Sequence, residues 1–294
     1  SLILAQFKSH SLTNSFTVPT ELNDKVKIFS KNRSGGFLFT DDAGVVRVMT
    51  VGDYNTIESL VFDYTAISEL PAGSSGIYIE GKDSISIVDC YFEGTIGNFI
   101  TARDECNDLL IEGNYCKDGK WMIRGAGVTG PNQLFLNNIG VGGFVEDGNN
   151  QIHGDLFKWG SAPNPLPDNR NRLNWRWIGN SGYNLERDVF DLALGGVIDA
   201  TFLNNTCYQS GDRGSGFFDI KLAYDAAENN PSVIDDFQTI NVNIIGNHAI
   251  GTKSMIVLTA EWDNGDETEA STNKLINISN NTFRDVGKAI FLKS

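Results

Sequence analysis

Four cysteines in 294 residues are too few to form a disulfide framework, and none stands in a CxxC pair or at the His spacing of a zinc site. Runs of Ala, Leu and Lys are missing, which disfavours helical and leucine-rich repeats. No stretch of about 18 apolar residues occurs, so no membrane-spanning helix is expected. Basic residues are outnumbered, 23 Lys and Arg against 37 Asp and Glu for a net charge of −14. That balance argues against an electrostatic grip on nucleic acid or on an anionic membrane. Residues 1–7 are apolar but too short, and without a basic leader, for an intact secretion signal.

What the chain does contain is a recurring frame. In residues 274–287, Ile276 and Ile278 alternate with polar neighbours, Asn281 follows, and Phe283 turns inward two places later. With Asn281 as anchor, apolar residues stand at minus five, minus three and plus two. The template returns at Asn247 (Val242, Ile244, Ala249), Asn205 (Ala200, Phe202, Cys207), Asn180 (Trp175, Trp177, Gly182) and Asn114 (Leu109, Ile111, Cys116). Asn138 fits poorly, with Gln133 and Gly140 in apolar slots. Upstream the anchor becomes Cys90 (Ile85, Ile87, Phe92) and then Thr65 (Leu60, Phe62, Ile67). Repeats of roughly 20–50 residues signal a solenoid, propeller or array.

The units are rich in Ile, Val, Phe, Gly and Asn, so they read as strands and turns. A second apolar strand follows each anchor, as in residues 76–80, 98–103, 121–124, 189–194, 217–222, 255–260 and 289–293. Two or three short strands per unit of about 24 residues make one turn of a parallel β-helix, with coils about 4.8 Å apart. The anchor asparagines would stack as a ladder in one turn, a place that suits Asn because it tolerates the left-handed conformation. Cys116 and Cys207 fill inward slots, Cys90 replaces an anchor and Cys106 lies in a tight turn. At this point the chain resembles the right-handed parallel β-helix superfamily of pectate lyases, polygalacturonases and phage tailspikes, over about residues 50–294. Reduced thiols suit folding in the cytosol, including that of a virion protein assembled inside its host.

The expected fold is all-β, a single-stranded solenoid of about eight or more coils. Residues 1–50 do not obey the template and are expected to form an irregular N-terminal cap, with the β-helix over 51–294. Loop insertions are expected near 147–172, 225–238 and 261–274, all from one corner, where a repeat array tends to bind. The chain ends inside a strand at residue 294, and the tailspike resemblance implies a homotrimer.

Outward positions on the second strand are the place for a site. With Phe190, Leu192 and Leu194 inward, Val189, Asp191 and Ala193 face out; with Phe218, Ile220 and Leu222 inward, Asp219 and Lys221 face out. Glu80, Arg124, Glu146 and Glu261 fall near the same face. Asp191 and Asp219, on successive coils, would be about 5 Å apart, near the separation of a retaining glycosidase pair. Asp219, Asp191 and Glu146 are therefore the candidate catalytic residues. Arg124 and Lys221 would hold an acidic sugar, or Lys221 would serve as a lyase base; a structural salt bridge is the competing reading. His153 is a candidate for proton transfer and Trp159 for sugar stacking, while Trp175 and Trp177 read as core or lining. Ile152-His153-Gly154 and Asp219-Ile220-Lys221 echo two polygalacturonase segments, but the paired aspartate motifs of that family and the Arg-x-Pro element of pectate lyases are absent. No cofactor is expected. Calcium is conceivable at Asp263, Asp266 and Glu267, without a recognised ligand spacing.

The resemblance implies a tailspike-like protein of a phage virion, or a secreted one, that binds a bacterial surface or extracellular polysaccharide and cleaves it as a hydrolase or lyase. A non-catalytic adhesin, receptor-binding fibre or structural virion protein is the alternative, and a uronate epimerase the third.

Overall fold

The computed structural model describes residues 2–4, 10–11, 16–17, 27–29, 36–38, 47–65, 75–94, 97–143, 145–146, 152–159, 173–193, 199–211, 216–221, 241–259 and 275–293. Its strands enter three parallel sheets in strict rotation, each ten strands deep. One coil is Ser86–Val88, Tyr91–Glu93 and Asn98–Glu105; the next is Leu110–Glu112, Tyr115–Lys117 and Trp121–Thr129. The chain is a parallel β-helix, consistent with the right-handed sense that parallel crossovers take. No α-helix occurs among the described residues.

Most three-residue strands of the first two sheets bury only their central residue. Ile87 and Phe92 point in while their neighbours stay partly exposed, the period-two pattern of a half-buried strand. Because coils stack in register, like side chains meet along the axis. Phe62 stacks on Phe92 and Trp177 on Phe202, each with ring centroids 4.7 Å apart, and Phe157, Phe190 and Phe218 continue at 5.2 and 4.9 Å. These rings fill the tube at the strand spacing.

Between the first and second sheets runs the asparagine ladder. The backbone N–H and side-chain amide of Asn114 both donate to Oδ1 of Asn138, and the same pair of bonds joins Asn138 to Asn180, Asn180 to Asn205, Asn205 to Asn247 and Asn247 to Asn281. Each amide also donates to a carbonyl one coil back, as Asn180 does to Phe135 at 3.0 Å. Asn138 is thus a full member. Gln133 is buried with its amide on the Cys106 carbonyl, and a Cβ at Gly140 would crowd Leu156 at 2.9 Å, so both misfits are accommodated.

Three expectations need correction. Tyr91 pairs with Val61, so Leu60 rather than Thr65 stands beneath Cys90; the lure was that Ile67 happened to suit the apolar slot. The left-handed residue is not the anchor but the one before it. Asp89, Asn137, Asn204 and Asn280 have φ of 52–56°, and Gly113, Gly179 and Gly246 of 64–67°. From Asp89 to Asn280 the two kinds alternate coil by coil, because the side-chain oxygen of Asp89 or Asn204 lies where a Cβ on Gly113 or Gly246 would have to go. Lastly, the stretch 147–172 is not one insertion. Ile152–His153 pairs antiparallel with Val145–Glu146, and Asp155–Trp159 is a coil strand of the third sheet.

Strands from residues 1–50 enter all three sheets, pairing Leu2–Leu4 with Lys27–Phe29, His10–Ser11 with 37–38 and Phe16–Thr17 with 49–50. The described part of the expected cap therefore continues the winding. The expected insertions at 225–238 and 261–274, Glu261 and the calcium candidates lie outside the described residues. The strands flanking those insertions run from the third sheet to the first, as do those flanking residues 160–174.

Candidate active site on the third sheet

Parallel pairing puts one outward column along the third sheet: Tyr78, Thr101, Arg124, Lys158, Asp191, Asp219 and Val257, one from each of seven successive coils. Four consecutive members are ionic. The alternation that turns Phe157, Phe190 and Phe218 into the core turns Lys158, Asp191 and Asp219 out, as the expected register required for the two aspartates.

Outward does not mean accessible. Asp191 is only 2% exposed; Lys158 Nζ donates to its Oδ2, and Arg187 Nη2 lies 3.9 Å from the same oxygen. Asp219, next along the ladder, is partly exposed. Neighbouring strands lie about 4.8 Å apart, so Asp191 sits one strand behind the acid that reaches solvent.

Two further acids stand at the corner leading into this sheet. Asp155 accepts the Asp188 backbone N–H through Oδ1 at 2.9 Å, and Asp188 accepts the Gly216 N–H at 2.6 Å. Carboxylate oxygens of Asp155, Asp188 and Asp191 all lie within 4.8 Å of one another. Burial, then the charges of Asp191 and Asp188, push the Asp155 carboxyl up to about 8. Burial and Asp191 likewise raise Asp188, against the pull of the Gly216 N–H and Arg187. The physical cause is one buried space shared by like charges, where full ionisation is resisted. Three carboxylates are the right donors for a hard cation. Lys158 and Arg187, together with one proton kept on Asp155, already neutralise all three.

The other half of the column is cationic. The Arg124 guanidinium lies over the Trp121 ring at 4.7 Å and Lys120 Nζ lies over the same ring at 4.7 Å. Burial and the nearby charge of Arg103 lower the Arg124 pKa. Among the described residues no carboxylate pairs with Arg124. In a chain of net charge −14, a half-buried guanidinium with no carboxylate partner among the described residues is a ready anion site.

The remaining candidates do not join this column. Trp159 is 2% exposed and meets Phe135 and Trp177 edge-on, at 5.0 and 6.2 Å. As the second inward residue after Phe157, it packs where a Cβ on its register partner Gly125 would stand, so it is core and not a sugar platform. His153 is 3% exposed, with its ring edge-to-face against Trp121 at 5.1 Å, and does not reach the outer face. Trp175 and Trp177 are core, as expected. Glu146 lies opposite Ile152 on the small hairpin, off the column. Lys221 pairs with Ala193 and Thr259, placing its backbone two residues beyond Asp219. Glu80 is exposed beside Arg103 in register. Asp155 and Asp188 were missed: one fell inside a supposed insertion, the other precedes its strand. The alternation of Asp155, Phe157 and Trp159 was the available signal.

No family model matches the chain, and no curated protein does. Among solved structures, a rhamnogalacturonan lyase is similar over 92% of this chain and 78% of that one, at 11% identity and a TM-score of 0.41.

Proposed function

We propose that this β-helix binds and cleaves a polysaccharide laid along the outward face of its third sheet, in the manner of a tailspike acting on a bacterial surface or extracellular glycan. The observation that carries the reading is the in-register run Arg124, Lys158, Asp191, Asp219, a cationic half next to an acidic half on four consecutive coils. A polymer lying along the axis would cross these coils at the strand spacing and meet Arg124, Lys158 and Asp219, with Asp191 covered between the last two. Arg124 on Trp121 takes an anionic group of the sugar. Asp219 is the carboxyl that reaches the bond to be broken. Asp191, held by Lys158 and Arg187, sets the charge behind Asp219, and the proton on Asp155 relieves the crowding of carboxylates.

A second reading, a binding module without chemistry, has its own support. Cleavage by a carboxyl pair needs two acids at the bond, and Asp191 is covered. The experiment is a panel of alginate, polygalacturonate, xanthan, dextran and lipopolysaccharide O-chains, followed by new reducing ends and by the absorbance of unsaturated uronates. Shortening of one polymer, lost in Asp219→Asn with the fold intact, supports cleavage. Binding without shortening establishes the module instead, and turnover unchanged in Asp219→Asn removes that residue from the mechanism.

A further inference from the structure

A different face of the solenoid carries a feature that the ionic column does not use. On the outside of the second sheet, six successive coils each present an aromatic or aliphatic side chain: Tyr91, Tyr115, Ile139 with Val141, Tyr183, Tyr208 and Ile250. The Tyr91 and Tyr115 rings stack at 5.1 Å with planes 4° apart. Tyr91 donates its hydroxyl to Glu93 at 2.6 Å, and Glu93 is held by Lys117 at 2.5 Å, which fixes that end of the strip. At the other end Tyr183 and Tyr208, register partners, are 37% and 38% exposed.

The strip is a narrow line in two register positions: Tyr91, Tyr115 and Ile139 stand in one, and Val141, Tyr183, Tyr208 and Ile250 in the other, two residues further along the strands, with the step at the coil that carries both Ile139 and Val141. Ser181, Thr206 and His248 flank it on one side of the strands, and Glu93 and Lys117 interrupt the other. A stable protein partner needs roughly 800 Å² on each side with a broad apolar centre, which so narrow a line does not offer. A linear polymer of rings, each apolar on its faces and hydroxylated at its rim, needs only a narrow track of equally amphipathic rings. The strands supply such a track with a repeat of about 4.8 Å.

We infer that the second-sheet strip is a non-catalytic polysaccharide track, separate from the third-sheet column, that holds the glycan by stacking on Tyr183 and Tyr208. This rests on the reading that the ligand is a polysaccharide. The test uses whichever polymer of the panel above the full chain binds, with the double variant Tyr183→Ala, Tyr208→Ala and the ring-preserving Tyr183→Phe, Tyr208→Phe as its control. The alanine pair should weaken polymer binding about tenfold or more, with unchanged circular dichroism and unchanged turnover of any short oligosaccharide the parent cleaves. The phenylalanine pair should bind within about twofold of the parent, since stacking needs the ring. Parent-like binding by the alanine pair overturns the track and leaves the polysaccharide reading standing. A parent that binds no member of the panel overturns both. A parent that sediments as an oligomer, with the alanine pair monomeric, makes the strip a contact between copies and overturns the track.

Discussion

Two ladders climb this solenoid at different corners, and they meet the same demand with different chemistry. Between the first and second sheets the rungs are side-chain amides: each accepts from the coil before it and donates to the coils on both sides, so Asn180 is buried, neutral and satisfied. Entering the third sheet, Asp155 and Asp188 accept a backbone N–H from the next coil just as an Asn would. An ionised carboxylate has nothing to donate, and among the described residues Oδ2 of Asp155 has no hydrogen-bond partner. Acid on that corner is therefore costly for the fold, and it lies beside the column in which Lys158, Asp191 and Asp219 follow one another on successive coils. The difference teaches where to look: the amide ladder holds the coils in register, while the carboxyl ladder accepts a penalty next to the proposed chemistry.

Breaking the amide ladder should produce the largest effect. Asn180→Ala orphans donors on Asn138 and the Phe135 carbonyl, and should cost about 3–5 kcal/mol, read as a lowered midpoint in urea. Converting an amide rung into a carboxyl, Asn180→Asp, should cost about 1–3 kcal/mol and make the loss grow with pH, because the new acid must either keep a proton or stay unpaired. The reverse exchange, Asp155→Asn, keeps the acceptor for the Asp188 N–H. Asp155 in the folded chain holds its proton up to about 8, whereas unfolded it releases it in the ordinary carboxylate range. The folded state thus binds more protons between those limits, and its stability falls as pH rises through them. The Asn variant lacks that term, so its advantage over the parent should grow by up to about 1.4 kcal/mol per pH unit. Urea titrations across that range would show it, and a constant difference would mean that Asp155 is ionised throughout. The smallest effect on stability belongs to Arg124→Gln. Losing a cation over an aromatic ring costs about 0.5–1 kcal/mol, but binding of an acidic polymer should weaken and lose part of its salt dependence.

Much of this is legible in the sequence. The apolar slots around Asn114, Asn180, Asn205, Asn247 and Asn281 recur because every coil must fill the same tube, and the alternation around Phe190 and Phe218 set Asp191 and Asp219 outward. Slots that a neighbour could fill were harder to read. Gly140 departs from the apolar template because Leu156 occupies its space, and Thr65 fits the template only because Ile67 is apolar. Exposure was not legible at all: a column can face outward and still be covered, as Lys158 and Arg187 cover Asp191. Trp159 misled for the opposite reason. An aromatic amid Gly and Pro reads as a loop platform, while its place two residues after Phe157 made it core.

The alternation of Gly with Asn or Asp just before each rung has a consequence for how such a chain can lengthen. A side chain over a gap repeats only every second coil, so duplicating a single coil would set two side chains against each other or leave two gaps facing. Between Asp89 and Asn280, inserting a pair of coils would keep this alternation, whereas a single coil would break it.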